Sequence, residues 1–272
     1  MSTVDTSVII STYNQPLWLE KVLWSYNAQS FTNFEVLIAD DGSTQETKNL
    51  ILRMQNEVTY PLQHIWHKDN GFQKTTILNK AILASKGAYL VFTDGDCIAR
   101  NDFLKKHIES REKDYFLSGG YFKLPLTISQ KISKQDIESQ NCFNIKWLKI
   151  HGLKSSYKNR KITAKGFFEK IFNFITPTTP SWNGHNASGW KVDILKINGF
   201  DQRMQYGGED RELGERLINS GIKAKQIRYS AICLHLDHKR GYVKPEMIAK
   251  NASIRKVTKA QKVTFTPYGI KK

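Results

Sequence analysis

Apolar runs and helix-spaced segments alternate through the first half of the chain. SVIIST (7–12) is a short β-branched run of the kind buried on both faces of a sheet. Pro16 then opens a helical segment, LWLEKVLWSYNAQ, whose Leu19, Val22, Leu23 and Tyr26 share one face. FEVLIAD (34–40) reads as a second strand, followed by a helix over 44–56 with Ser43 or Thr44 as its N-cap. LQHIWH (62–67) is a third strand. Residues 73–85 form a helix with Gly87 capping its end, and AYLVFTD (88–94) is a fourth strand. Asn101 is expected to cap the helix DFLKKHIESREK, and YFLSGGYFKL reads as a further strand or strand pair. Such alternation predicts an α/β fold with a mainly parallel, doubly wound, Rossmann-like central sheet and helices on both faces.

From about 125 to 180 the pattern weakens. The stretch is basic and aromatic, with Trp147, Tyr157, Phe167, Phe168, Phe172 and Phe174, and TPTTP (176–180) reads as a turn or linker. Order resumes with a short strand near 185–190, helices over about 192–197 and 209–220, and a last strand in KAKQIRYSAICLHL. Residues 245–262 have the pattern of an amphipathic helix in a basic tail. The organisation expected is one overall domain: a first half (1–125), a basic aromatic insert (126–180), a second half (181–238) and a basic tail (239–272), the two halves being those to which the resemblance described below assigns nucleotide-sugar binding and acceptor-binding catalysis.

In a doubly wound sheet, ligands sit at the carboxyl ends of the strands. Two acidic turns fall there. Asp94-Gly95-Asp96 places two carboxylates around a glycine, a compact oxygen-ligand site for Mn²⁺ or Mg²⁺, although Asp-Gly is also a common turn former. Asp40-Asp41-Gly42-Ser43 can hydrogen-bond a base or ribose, or simply cap a helix. Tyr13, just after the first strand, can stack on a base or pack in the core. Glu209 and Asp210 follow Gly207-Gly208 at a helix start, where a carboxylate is favoured by the macrodipole and can serve as a general base. His235-Leu236-Asp237-His238 can complete a metal shell begun by Asp96. The i, i+3 spacing turns both rings the same way on a helix only.

Charge changes the picture in one respect. The chain of 272 residues has 41 Lys+Arg against 25 Asp+Glu, a formal charge of +16, which suggests a polyanionic partner. The excess is local: residues 143–175 hold eight Lys/Arg and one Glu, and residues 235–272 hold ten against two acids. The remainder is almost neutral, with ordinary globular hydrophobicity. Three widely spaced cysteines suit reduced thiols, and MSTVDTSVIIS lacks the features of a signal peptide. No apolar run spans a bilayer. A cytoplasmic location is expected, at the cytoplasmic face of the inner membrane if the chain docks there.

Taken together, the motifs resemble the family 2 glycosyltransferases of the GT-A fold, with a C-terminal module like that of galactosyltransferases and bacterial polysaccharide or lipopolysaccharide glycosyltransferases. The similarity is carried by SVIISTYNQPLWLEKVLWSYNAQSFTNFEVLIADDGST, DNGFQKTTILNKAILASKGAYLVFTDGDCI, NGHNASGWKVDILKINGFDQRMQYGGEDRELGERLINSGIK and ICLHLDH, in that order. The resemblance implies that Tyr13 and Asp41 hold the uracil of a UDP-sugar, and that Asp94 and Asp96 form the DxD motif for ribose, metal and diphosphate. It makes Asp210 the base of an inverting reaction and Glu209 its acceptor- or sugar-binding neighbour. His235, or His238 in its place, binds the metal. Asn186, in Gly184-His185-Asn186-Ala187-Ser188, lines the donor sugar pocket, and Lys74 and Asn79 contact the donor. The implied acceptor is a saccharide or lipid-linked saccharide of a cell-surface glycan. Tyr206-Gly207-Gly208 stands where relatives often carry Trp-Gly.

Other classes fit less of the chain. A nucleic-acid-binding surface would use the basic aromatic segment but leaves the acidic turns unexplained, so no nucleic acid is expected. A dinucleotide oxidoreductase needs a GxGxxG turn that is absent after SVIIST. A non-catalytic sugar-binding module would follow if the metal site were incomplete.

Overall fold

A computed structural model describes residues 4–238 and 243–271. Seven strands form the main sheet: β1 (Thr6–Thr12), β2 (Phe34–Asp40), β3 (Leu62–Trp66), β4 (Tyr89–Asp94), β6 (Tyr115–Ser118), β8 (Ala187–Trp190) and β9 (Lys223–Gln226). A second sheet contains β5 (Cys97–Ala99), β7 (Gly120–Lys123) and β10 (Ile232–His235) in the order β5-β10-β7. The main sheet runs β3-β2-β1-β4-β8-β6-β9, with β8 antiparallel to both neighbours and every other pairing parallel. All seven residues of β1 and of β2 are buried, as central parallel strands between two helical layers must be.

Register fixes where the ligand crevice lies. Thr12 pairs with Asp40 and Ser11 with Asp94, so β2 and β4 end on either side of the end of β1. The chain leaves β1 toward β2 on one side and returns to β4 on the other. This is the switch point of a doubly wound sheet, where the loops diverge and leave room for a ligand.

Several local expectations change. The helix Lys74–Ala84 ends at Ser85, not at Gly87. Gly87 instead lies against β1, donating its N–H to the Ser7 hydroxyl at 2.8 Å. A Cβ there would stand 2.5 Å from the Ser7 nitrogen, so the close backbone approach requires glycine. Thr44 stands at the N-cap of the helix Gln45–Glu57 but its side chain makes no capping bond; Asn14 accepts from the Thr44 N–H instead. The helix Phe103–Ser110 starts after Asp102 rather than being capped by Asn101. YFLSGGYFKL is indeed a strand pair, but it divides between the two sheets. KAKQIRYSAICLHL is not one strand: a turn closed by the Ser230 and Ala231 N–H groups on the Ile227 carbonyl splits it into β9 and β10, again in different sheets.

The insert over 126–180 is helical, with short segments at Leu126–Lys131, Lys134–Glu138, Ile145–Ile150 and Arg160–Thr163, then Phe167–Ile175. Residues 243–271 are not a separable tail. The helix Pro245–Ala260 packs on the helix Glu209–Asn219 with Met247, Asn251 and Thr258 buried. Asn251 bonds the carbonyls of Gln205 and Gly207, and Thr258 donates to Glu212. The segment after it is pinned by Asn198, which bonds the carbonyls of Thr266 and Lys271. Among the described residues, no helix is long and apolar enough to cross a membrane. The three cysteines are free and buried.

Candidate active site

The ends of β1, β2 and β4 deliver Tyr13, Asp41, Asp94 and Asp96 to one rim. Beyond the end of β2, Asp41 is buried, with one oxygen 2.8 Å from His67 Nε2 and the other accepting from the Gln73 N–H at 2.9 Å. Burial raises its pKa, against the pull of His67 and that N–H. Asp40 points elsewhere: it is fully buried, 2.8 Å from His64, and accepts from the Ser43 N–H. Tyr13 keeps its ring exposed while its hydroxyl donates to Asp69 at 3.0 Å, a bond that raises its pKa.

Around β4 the groups converge. Lys74 Nζ donates to Asp94 at 2.7 Å, and the Ser11 hydroxyl donates to the same oxygen at 2.6 Å. Burial works against the Lys74 charge, yet the carboxylates of Asp94, Glu209 and Asp210 hold its pKa above the ordinary lysine value. Asp94 also resists burial: Lys74 and the Ser11 bond keep it below the usual carboxylate range. Both groups therefore stay ionised in a partly closed crevice.

Glu209 and Asp210 open the helix Glu209–Asn219 behind Gly207 and Gly208, both at positive φ (107° and 91°), a turn that disfavours any side chain. Asp210 accepts from the Gly184 N–H at 3.0 Å and faces the crevice beside Lys74. Glu209 accepts from the Gly207 N–H. Burial, with the adjacent Asp210 charge, pushes its pKa up to about 7. The helix is held in place by a buried ion pair, Arg216 with Glu212, whose guanidinium also donates to the carbonyls of Ile197 and Gly199.

Asp96, His235 and His238 form the third group. Asp96 Oδ2 lies 2.8 Å from His238 Nε2 and 3.5 Å from His235 Nε2, and the donor atoms of all three fall within 4.8 Å of one another. An ion held about 2.1 Å from each of several donors places them roughly 3–4 Å apart, so this set fits a single divalent cation. The imidazoles favour a borderline ion over Mg²⁺, which prefers all-oxygen shells. Both histidines belong to the cluster. Their rings are 10° from parallel although no helix carries them; His235 ends β10, and the Leu236 N–H donates to the Asp96 carbonyl at 2.8 Å.

Two expected site residues do not serve as expected. Asn186 is fully buried: its amide donates to the carbonyls of Gly120 and Ala231, and its oxygen lies 3.0 Å from His107 Nε2. It joins the two sheets and leaves no side-chain face for a sugar. Asn79 is likewise buried, bonding the Phe200 carbonyl and N–H with its own amide. A short polar side chain near a pocket motif is equally apt to pin backbone.

Three crevice residues carry no expectation from the sequence. Asp69 fixes the Tyr13 hydroxyl. His185 sits among Asp94, Asp210, His235 and Asp96, and burial lowers its pKa against the carboxylates. Tyr121 packs edge-on to His185 at 4.7 Å between ring centres and against His235 at 5.3 Å. His185 was legible as a histidine between Gly184 and Asn186 in a motif already singled out. Asp69 follows the strand-end rule that marks Asp41.

With this geometry in hand, comparison with known proteins is direct. The glycosyl transferase family 2 model matches residues 7–176, and a model described as the N-terminal domain of galactosyltransferase matches residues 179–239. The chain is similar to a hyaluronan synthase of Pasteurella multocida, 27% identical over 82% of this chain and 24% of that protein. It is also similar to an uncharacterized glycosyltransferase, YfnE, of Bacillus subtilis, 27% identical over 86% of this chain and 65% of that one. The chain thus spans less than two thirds of these relatives. Among solved structures, Staphylococcus aureus TarS 1–349 in complex with UDP-GlcNAc superposes with a TM-score of 0.61 at 16% identity, covering 95% of this chain and 69% of that one. A mannosyltransferase of Pyrobaculum calidifontis in complex with GDP-Man and Mn²⁺ gives 0.59 at 19% identity, covering 89% and 59%. The shared architecture is the GT-A fold.

Proposed function

The chain belongs to glycosyl transferase family 2, and on that premise we propose that it transfers a hexose or N-acetylhexosamine from a UDP-sugar to a hydroxyl of a saccharide or lipid-linked saccharide, with inversion, in the assembly of a cell-surface glycan. One observation carries the reading: the Asp96–His235–His238 cluster and the Asp210 carboxylate face each other across Lys74 and His185 at the switch point of the sheet. The nucleotide-sugar complexes of the structural neighbours support the donor class, and the polysaccharide synthases among the relatives support the product class.

In this reading Tyr13 stacks on the base and Asp41 accepts from its edge. Asp94, kept ionised by Lys74, receives the ribose, while Lys74 lies next to the diphosphate. Asp96, His235 and His238 hold a divalent ion, Mn²⁺ on the donor set, which when bound neutralises the departing diphosphate. Asp210 removes the proton from the attacking hydroxyl. The Gly184 and Arg211 N–H groups each donate to one of its oxygens, fixing the carboxylate beside Lys74 with lone pairs on both oxygens still available to a hydroxyl proton. Attack from the face opposite the diphosphate inverts the anomeric centre. Glu209, half-protonated near neutral pH, both accepts and donates to acceptor hydroxyls.

The chain also docks on an anionic membrane, in this reading, through the insert. The helix Phe167–Ile175 is inside out: Glu169 is its buried residue and pairs with Lys106 at 3.0 Å, while Phe167, Phe168, Phe174 and Ile175 are 72%, 60%, 90% and 61% exposed. Aromatic side chains amid lysines suit a lipid interface, and no nucleic acid is involved.

The test is a screen of UDP-hexoses and UDP-N-acetylhexosamines for hydrolysis in Mn²⁺, in chelator, and after Mn²⁺ is restored. Turnover of at least one donor that stops in chelator and returns with Mn²⁺ is expected. Full activity in chelator would remove the ion from the reaction.

A further inference from the structure

Two cations from other elements lie against β7 and, among the described residues, have no acidic partner. Lys161, from the short helix Arg160–Thr163, donates to the Tyr121 carbonyl at 3.0 Å and lies 5.8 Å from the centre of the Tyr121 ring. Arg228, from the turn between β9 and β10, lies across Gly120: a Cβ at Gly120 would stand 2.7 Å from Arg228 Cγ and 3.3 Å from its Nε. Glycine is what lets the guanidinium stem cross the strand. Arg228 donates through one terminal nitrogen to the Thr178 hydroxyl at 2.9 Å, while its Nε–H is buried and makes no hydrogen bond. Among the described residues neither cation forms a salt bridge, whereas Lys74, Lys106, Lys123, Arg203, Arg216 and Arg255 all do. Burial, with the nearby Arg228 charge, lowers the Lys161 pKa to about 8. Holding two like charges together, one with a buried unmet donor, costs stability that an anion would restore.

Position selects the anion. Tyr121 lies between Lys161 and the crevice histidines; the residue is 39% exposed and its ring packs on His185 and His235. His185 in turn lies in the field of Asp210. An exposed aromatic face one residue from the base, with two cations beyond it, has the layout of a saccharide platform followed by a clamp for an acidic substituent. The diphosphate side of the crevice already has its own lysine, Lys74.

We propose that Tyr121, Lys161 and Arg228 form an acceptor subsite that selects a saccharide bearing a carboxylate or phosphate group. The inference rests on the glycosyl-transfer reading above and names the chemistry of its acceptor. Calorimetric titration of the full chain, saturated with UDP and Mn²⁺, tests it with three probes: tetragalacturonate for the carboxylate, glucose 6-phosphate for the phosphate, and maltotetraose as the neutral control. At least one anionic probe is expected to bind about tenfold or more tighter than maltotetraose. The Lys161→Gln/Arg228→Gln double variant should remove that preference, Lys161→Arg should retain it, and UDP affinity should change less than about twofold in each. Whichever anionic probe binds identifies the source of the charge. Equal or absent binding of all three probes overturns the subsite. Loss of UDP affinity in the double variant overturns it too, by assigning the cations to the diphosphate. A wild-type chain that binds no UDP at all would instead sink the transferase reading on which the subsite rests.

Discussion

Residues 143–175 and residues 235–272 carry similar excesses of positive charge, eight Lys/Arg against one acid and ten against two, yet the fold uses them in opposite ways. In the described part of the second segment, Arg255 and several polar groups turn inward while Lys244, Lys250, Lys256, Lys259, Lys262 and Lys271 stay exposed. Arg255 pairs with Glu215, Lys259 lies 3.3 Å from the same carboxylate, and Asn251 and Thr258 bond groups of the loop and helix that carry Glu209 and Asp210. This segment is packed against the loop and helix that carry Glu209 and Asp210. In the first segment, the helix Phe167–Ile175 turns Glu169 inward and its phenylalanines outward. Net charge alone makes both look like docking surfaces. What separates them is packing: the second is anchored through Met247, Asn251 and Thr258 and exposes Ile248, Val257, Phe265 and Tyr268 to 45–48%, whereas the first exposes Phe167, Phe168, Phe174 and Ile175 to 60–90% on one short helix.

The comparison breaks most visibly under truncation. Deleting residues 244–272 uncovers the Glu212–Arg216 pair and removes the partners of Asn198, which should cost several kcal/mol and lower Tm by about 10 °C or more. Differential scanning calorimetry reads this; an unchanged Tm would mean that the segment is a loose tail after all. The next largest effect belongs to the first segment. Phe167→Asp/Phe174→Asp should weaken binding to anionic liposomes about tenfold or more while leaving Tm within roughly 2 °C, because both rings are solvent-exposed. Retained liposome binding would clear the helix of that role.

A smaller effect sharpens the picture inside the catalytic half. Glu209 has a folded-state pKa raised to about 7, by burial first and then by Asp210. The native state therefore holds the Glu209 proton where the unfolded chain has released it, so this group's contribution to stability falls as pH rises from the ordinary glutamate range to about 7, then levels off. Glu209→Gln removes the penalty and keeps an acceptor for the Gly207 N–H. Its Tm should match wild type near pH 4 and exceed it by a few degrees at pH 8. A gap independent of pH would mean that the carboxyl is not protonated in the fold.

Much of the fold is legible in the sequence where burial is uniform. The runs SVIIST, FEVLIAD and AYLVFTD announce central parallel strands because both faces are covered, and the acidic strand ends then follow from topology. Legibility fails where one apolar run serves two sheets. KAKQIRYSAICLHL contains no glycine or proline to mark its break, which comes from a turn closed only by backbone bonds to Ile227. The insert is opaque for a different reason: its helices are too short to show a period, although Ser133 and Asp136 form a capping box that the sequence displays. At the site, carboxylates and histidines are easy to nominate because few structural roles suit them. Asn186 and Asn79 mislead because an amide satisfies buried backbone as readily as it binds a sugar. Tyr121 escapes notice because its partners, His185 and His235, are distant in sequence.

On the proposed mechanism, Asp210 is the base of an inverting transfer and takes no part in holding the nucleotide. The direct measurement pairs two readouts on Asp210→Asn, whose one amide oxygen can accept from either Gly184 or Arg211: sugar transfer in Mn²⁺ with the best donor, and UDP affinity by calorimetry. The predicted result is a loss of transfer of about 10³-fold or more, with UDP affinity within roughly twofold of wild type. Transfer at the wild-type rate in Asp210→Asn would contradict it.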